Sequence, residues 1–347
     1  MIDIASPLRL RLDSAALVDN WRWLGTAGGA EAGAAIKADG YGLGARAVMR
    51  HLAAAGCRHF FVATWAEAAA LMPLPAGVSL SVLHGVGTED MIAARTLPAR
   101  PVLNSVEQVR RWRDGGEGRP CDVMVDTGMN RLGLRVEEAR GGALDGLAIE
   151  TLLSHLASAD EDSAQNERQL AAFAAVRDVI PARRTSLANS AGICLGADYG
   201  FDLTRPGLAL YGGVPRREAE GAIRQVVFPE TRVLQVRDVP AGEAVGYGAT
   251  WTARCDSRIA VANIGYADGY LRCHAGTGGA RFAGQALPLV GRVSMDLVAF
   301  DASGVDGLAE GDWLALDYDL AATSARCGLS QYELLTGLGN RFARHWS

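Results

Sequence analysis

The stretch Gly33-Ala34-Ala35-Ile36-Lys37-Ala38-Asp39-Gly40-Tyr41-Gly42-Leu43-Gly44 decides how the rest of this chain is read. A short apolar run reaches one lysine, and glycines crowd the turn that follows. Ala45 to Ala55 then carries Val48, Met49 and Leu52 at helical spacing. The unit is strand, lysine, tight turn, helix. It sets one amine at the carboxyl end of a buried strand, where parallel α/β folds gather their chemistry. A surface lysine beside an ordinary turn is the plainer reading, but Ala34, Ala35 and Ile36 run into Lys37 without a break. A buried lysine is costly unless it is paired, neutral or covalently used.

Similar units follow. Strands are expected at Ala34 to Lys37, His59 to Ala63, Val78 to Leu83, Arg100 to Asn104, Cys121 to Val125, Ile149 to His155, Arg184 to Ala188 and Leu203 to Leu210. Helices are expected at Trp65 to Leu71, from Thr88 to Leu97, from Ser105 to Arg113, briefly at Val136 to Arg140, at Asn166 to Val179 and from Ser190. Eight strands alternating with helices predict a (β/α)8 barrel. A doubly wound open sheet is the alternative, but no GxGxxG follows a strand. Beyond about Glu220 short alternating runs are separated by Pro-Ala-Gly, Ala-Asp-Gly, Gly-Thr-Gly-Gly and Ala-Gly-Gln. The last third therefore reads as a mostly-β domain. The expected division is residues 1–222 for the barrel and 223–347 for the β domain, with the first ten or so residues able to join the latter.

At 347 residues, 49% of them hydrophobic, the chain can bury a sizeable core. Its 34 basic and 39 acidic residues are mixed, for a net charge of -5, and no basic stripe interleaved with aromatics suggests nucleic acid. No apolar run is long enough for a signal peptide or a membrane span. Six scattered cysteines without CxxC or Cys/His metal spacing fit free thiols, no metal and a cytoplasmic location.

The expected strand ends gather a distinctive set. The first ends in Lys37, the fifth in Asp126-Thr127-Gly128-Met129-Asn130-Arg131-Leu132-Gly133, the sixth in His155, the seventh in Asn189-Ser190 and the eighth in Arg205-Pro206-Gly207. Each has a plain structural explanation: a surface arginine, a satisfied core histidine, a helix cap, an extended residue before proline. Five such residues at one end of a barrel are less easily dismissed. Ser190 with Gly207 and Leu208 offers a phosphate a hydroxyl and backbone N–H groups, and an amine across the mouth can form a Schiff base with an aldehyde. Phosphate, ring and aldehyde together describe pyridoxal 5'-phosphate.

The motifs AAIKADGYGLG, VDTGMNRLG, SHLASAD, ANSAG, RPGLALYGG, VGYGATW, IGYADGY and GRVSMD occur in this order along nearly the whole chain. Together they resemble alanine racemase, a pyridoxal-phosphate enzyme of the third fold type. The resemblance implies a barrel followed by a β domain, and a homodimer in which each active site borrows residues from the partner. It implies that Lys37 holds the cofactor and serves as one base, and that Tyr266 of the second chain serves as the other. Tyr41, Asn189, Ser190, Gly207 and Leu208 would surround the phosphate, and Arg205 would face the ring nitrogen. Arg131 would lie near the phenolic oxygen and the substrate carboxylate. His155 would orient Arg205 and the tyrosine, and Met295 and Asp296 would line the substrate site. Racemisation takes a proton from one face of Cα and returns one to the other, so two bases must flank it. Amine and phenol both need surroundings that favour their base forms.

Two positions depart from the family pattern. Met124 stands where many members carry a carbamylated lysine that steadies the active-site arginine, and Asn340 falls near where some place a tyrosine over the methyl pocket. The expected function is interconversion of L- and D-alanine, either supplying D-alanine for peptidoglycan or consuming it in catabolism. A serine or broad-specificity racemase of the same fold is the alternative. A non-catalytic pyridoxal-phosphate carrier is remote, since it should lack the β domain and Tyr266. A decarboxylase of this fold would be expected to set an acidic group, rather than Arg205, at the ring nitrogen.

Overall fold

The computed structural model describes residues 5–347. It contains two compact units: Ala16–Arg224, and a second made of Gln225–Ser347 with the N-terminal stretch through Ala15. Residues 1–4, part of the stretch expected to be able to join the β domain, lie outside the described residues.

In the first unit, Ala34–Ala35, His59–Val62, Ser79–Val82, Arg100–Leu103, Cys121–Asp126, Ile149–Leu153 and Arg184–Ser186 pair in parallel, each with the next. The eighth strand, Leu203–Thr204, pairs with Glu31–Ala32 just ahead of the first. On its other side Asp202 N–H donates to Thr185 O (3.2 Å) and Arg205 N–H to Ala188 O (2.8 Å). The ring is thereby closed, and the unit is a (β/α)8 barrel. Phe61, Val102, Met124, Leu153 and Leu203, from five different strands, form one buried apolar cluster. The layered filling of such barrels by branched side chains accounts for it.

Several elements end earlier than periodicity suggests. The first strand stops at Ala35, and Lys37 already belongs to the turn. The eighth stops at Thr204, because Pro206 has no N–H for a ladder and the chain then enters a 3₁₀ turn at Leu208–Tyr211. The helix expected from Thr88 begins at Met91. The helix expected at Asn166 to Val179 spans Ala164–Arg177, and its buried face includes Asn166 and Gln169 beside Phe173 and Val176. Gln169 is hydrogen-bonded through both its oxygen and its nitrogen, and Asn166 donates to Ser158 O (3.0 Å) and Glu161 O (3.1 Å).

In the second unit Ser257–Ala262, Val298–Asp301, Gln285–Val290, Gly279–Phe282, Trp313–Leu316 and Val227–Val239 pair in sequence, all antiparallel. Val227–Val239 also pairs with Ser257–Ala262, closing a six-stranded ring. This 13-residue strand serves both neighbours, with a bulge between Val233 and Gln235 re-aiming it from one to the other. Leu8–Leu12 lies against its first half, and Ala343–Trp346 adds to Leu8–Leu12 in parallel. The mostly-β character agrees with the sequence, whose alternating or apolar runs at Val227 to Val239, Arg258 to Ile264, Leu287 to Val293 and Trp313 to Leu316 predict strands there; Gly279–Phe282, Val298–Asp301 and Ala343–Trp346 are additional.

Candidate active site

The turn carrying Lys37 is left-handed. Ala38, Asp39, Gly40 and Tyr41 have φ of 52°, 51°, 63° and 55°, a conformation that costs L-residues roughly 1–2 kcal/mol each. Hydrogen bonds hold it. Gly40 N–H donates to Ile36 O, Gly42 N–H to Ala38 O and Gly44 N–H to Asp39 O, each at 2.8 Å. Asp39 accepts from Ala45 N–H at 2.9 Å. One oxygen of Glu67 accepts from Ala38 N–H (2.6 Å), and the other accepts from Ala63 (2.6 Å) and Thr64 (3.1 Å). Glu67, which sequence reading passed over, thus ties the lysine turn to the end of the next strand. Its only visible signal was its place three residues after Thr64, as in a capping box.

The result is a half-buried Lys37 whose pKa is lowered, chiefly by burial and then by the Arg131 cation. Arg131 itself is exposed in the Asp126 to Gly133 turn, where Asp126 accepts from the N–H groups of Gly128 and Met129. Met124, two residues ahead of Asp126, points into the apolar cluster of the barrel and offers Arg131 no charge.

Arg205 is nearly fully buried, at 6% exposure. Its guanidinium donates to Ser186 Oγ and to Ser154 O and Leu187 O, so it laces together the ends of three neighbouring strands. It lies 3.5 Å from His155 Nδ1. Burial brings Arg205 down only to about 10, so it stays cationic at neutral pH. Burial and the cations of Arg205, Arg131 and Lys37 push His155 down to about 3, so the imidazole stays neutral. Gln169 secures the loop after it, accepting from Ala157 N–H (2.9 Å) and donating to His155 O (2.9 Å) and Thr127 Oγ1 (3.3 Å). Neither Gln169, Ser154 nor Ser186 stood out in the sequence.

Ser190 and Gly207 meet. Ser190 Oγ accepts from Gly207 N–H (2.9 Å) and Ala209 N–H (3.2 Å), at the start of the Leu208–Tyr211 turn. Asn189 caps the helix Ser190–Ile193, accepting from Gly192 N–H at 2.8 Å. Tyr41 reaches the same place, and a Cβ on Gly207 would stand 2.1 Å from its hydroxyl oxygen. The Tyr41 ring stacks on Tyr211 at 4.6 Å, and Tyr211 donates to Ala35 O. One end of this barrel therefore holds a depressed amine, a fixed cation beside a neutral imidazole, and a cradle of hydroxyls and backbone N–H groups that only a glycine can line. These donors fit a ring that carries an aldehyde and a phosphate.

In the second unit, Tyr266 N–H donates to Ser294 O (3.0 Å) and Ala267 N–H to Met295 O (3.1 Å), which brings Tyr266, Met295 and Asp296 onto one surface. The approach requires Gly265, where a Cβ would stand 2.3 Å from the carbonyl oxygens of both Ser294 and Met295. Fully buried Asp268 accepts from Arg341 Nε (2.6 Å) and Nη2 (2.8 Å), and Arg341 Nη1 donates to Asp296 (2.8 Å). Asn340 precedes that arginine and is exposed. Met295, at 53% exposure, and Leu297 and Leu271 leave apolar surface around Tyr266. The guanidinium of Arg272 lies over the Tyr266 ring, 5.2 Å from its centroid.

The family model described as the alanine racemase N-terminal domain matches residues 12–215, and the one described as the alanine racemase C-terminal domain matches residues 226–346. An alanine racemase of Acidiphilium cryptum is 42% identical over 349 residues, covering 96% of this chain and 97% of that protein. A catabolic alanine racemase of Agrobacterium fabrum is 41% identical over 354 residues, covering 97% and 91%. The crystal structure of alanine racemase from Bartonella henselae with covalently bound pyridoxal phosphate superposes with a TM-score of 0.90 at 36% identity, covering 99% of this chain and 100% of that one.

Proposed function

This chain belongs to the alanine racemase family, and we propose that it interconverts L- and D-alanine with pyridoxal 5'-phosphate. The observation that carries this reading is the convergence of Lys37, Arg205, His155 and the Tyr41–Ser190–Gly207 cradle at one end of the barrel.

The cofactor, when bound, supplies an electron sink that acidifies the Cα–H of an amino acid joined to it. Lys37 would hold it through Nζ, with Tyr41, Asn189, Ser190, Gly207 and Leu208 around the phosphate. Released from that linkage, the Lys37 amine takes or returns a proton on one face of Cα. Its lowered pKa raises the fraction in base form at neutral pH. The phenol of Tyr266 from a second copy serves the other face, with Met295 and Asp296 beside it. Arg205 would donate to the ring nitrogen, and as a fixed cation there it would limit charge build-up on the ring and with it side reactions. Arg131 receives the substrate carboxylate and His155 steadies Arg205.

The exposed apolar residues Leu271, Met295 and Leu297 support a homodimer in which each copy completes the other's site. Among the described residues no helix is long and apolar enough to cross a membrane, and with six free cysteines this supports a cytoplasmic setting. The product fits a supply of D-alanine for peptidoglycan, or its reversal in catabolism. Exposed Asn340 favours a second reading, a racemase that also accepts serine or larger side chains.

Initial racemisation rates with L-alanine, L-serine and basic amino acids, followed by circular dichroism, test the assignment. Alanine should lead, and equal or faster turnover of another substrate overturns it. In Tyr266→Phe racemisation should fall at least a hundredfold. Unchanged turnover removes the two-base scheme.

A further inference from the structure

The β-rich unit holds a cluster that the proposed chemistry does not use. Cys273 and His274 end the 3₁₀ turn Arg272–His274, and Cys327 ends the helix Leu320–Cys327. Their candidate donor atoms all lie within 4.8 Å of one another, although more than 50 residues of sequence separate the first pair from Cys327. His274 Nδ1 stands 3.6 Å from Cys327 Sγ. Tetrahedral zinc, with Zn–S of about 2.3 Å and Zn–N of about 2.0–2.1 Å, requires an N···S edge of about 3.6 Å.

The imidazole is built in rather than resting there. His274 is fully buried, its ring stacked on Tyr270 at 4.0 Å and 9° and facing Tyr318 at 6.1 Å. Among the described residues, its Nε2 and the Tyr270 hydroxyl are buried without hydrogen-bond partners. With the ring proton on Nε2, Nδ1, the atom that faces Cys327 Sγ, is left as a lone-pair donor, the form that binds a metal. Arg326 is also near; it donates to Thr323 Oγ1 and Asp317 O and adds positive charge beside the Cys327 thiol. Two thiolates offset a divalent ion, and the soft S, S, N donor set selects zinc over magnesium or calcium.

We propose that Cys273, His274 and Cys327 bind one Zn2+ per chain, with water in the fourth position. As the two Zn–S bonds form, the two thiol protons leave to solvent. The segment from Tyr266 to His274 is held at its start by the Tyr266 N–H bond to Ser294 O. The ion fixes its far end to the end of the Leu320–Cys327 helix, so zinc acts as a clamp on the segment that carries Tyr266 and Arg272.

The test uses the full chain as purified, reduced and freed of metal. Zn2+ is added while free thiols are titrated with a chromogenic reagent, and Co2+ is added in parallel to read sulfur-to-cobalt charge transfer as a difference spectrum. The expected result is one equivalent of Zn2+ silencing two thiols, with a charge-transfer band for Co2+. Cys273→Ser and Cys327→Ser should each weaken binding at least tenfold, while Cys255→Ser, at an exposed thiol elsewhere, should leave it unchanged. Binding that follows Cys255, or that survives the Cys273→Ser/Cys327→Ser double variant, overturns the proposal. So does a reduced protein that silences no thiols with Zn2+. None of these readouts depends on racemisation.

Discussion

Tyr41 and Gly207 approach so closely that a Cβ on Gly207 would lie 2.1 Å from the Tyr41 hydroxyl oxygen and 2.8 Å from Cζ. The contact joins the turn after Lys37 to the turn after Arg205, so two ends of the barrel ring share one cradle. Gly207→Ala must push the Tyr41 ring off its stack on Tyr211. Overpacking of this kind costs about 1–3 kcal/mol. Cofactor affinity, read from the absorbance of protein dialysed against decreasing pyridoxal phosphate, should fall at least tenfold. Unaltered affinity would remove Tyr41 and Gly207 from the phosphate site.

Lys37 is lowered by burial and by Arg131. Arg131→Gln removes one of the two causes, so the amine should need a higher pH to lose its proton. The limb of the kcat/KM profile that reports this base should move to alkaline pH, alongside a raised KM from the lost carboxylate partner. Arg131→Lys should restore the position of the limb better than it restores KM, because a point charge replaces the charge but not the planar fork.

His155 is held near 3, well below the ordinary imidazole value. The unfolded chain takes up that proton below about 6.5 and the folded chain does not. Stability contributed by neutral His155 is therefore full above about pH 6.5 and is lost as pH falls toward 3. Urea melts at pH 7.5 and 5 should show a smaller loss on acidification in His155→Gln than in the parent. An equal loss would mean that His155 titrates normally in the folded state.

Arg341 supplies two hydrogen bonds to the fully buried carboxylate of Asp268. Arg341→Leu leaves that charge unpaired. Because the arginine is about half exposed, the cost should be about 1–3 kcal/mol rather than the larger figure for a fully buried pair. Thermal melts should show it, and Asp296→Asn, which removes only the outer contact, should cost less than half as much. The reverse order would place the main anchor at Asp296.

Met124 lies in the apolar cluster with Phe61, Val102, Leu153 and Leu203. Met124→Leu should change stability by less than about 1.5 kcal/mol, and Met124→Ala should cost about 2–5 kcal/mol. Racemisation should not depend on added bicarbonate, since no lysine stands there to be carbamylated. A bicarbonate-dependent rate would contradict this.

The sequence by itself determined the architecture and most of the chemical inventory. Alternating apolar runs and helical spacing carried the eight-fold barrel, because both periods are local properties of the chain. Lys37, Arg131, His155, Ser190 and Arg205 were legible because they follow apolar runs, and a strand's carboxyl end can be found from the strand alone. The ends of those strands were less so. Ala38, Asp39 and Tyr41 take left-handed angles that their own residue types disfavour, and hydrogen bonds accepted by Ile36 O, Ala38 O, Asp39 and Glu67 help hold them there. Tertiary structure alone decided that Gln169 secures the His155 loop and that Arg205 laces three strand ends. It also decided that Arg341 closes on Asp268, and that Cys327 meets Cys273 and His274. Each is a meeting of side chains far apart in sequence, fixed by packing rather than by any period. The stretch from Gly33 to Gly44 announced an amine at a strand end; the fold supplied the burial and the Arg131 cation that lower its pKa.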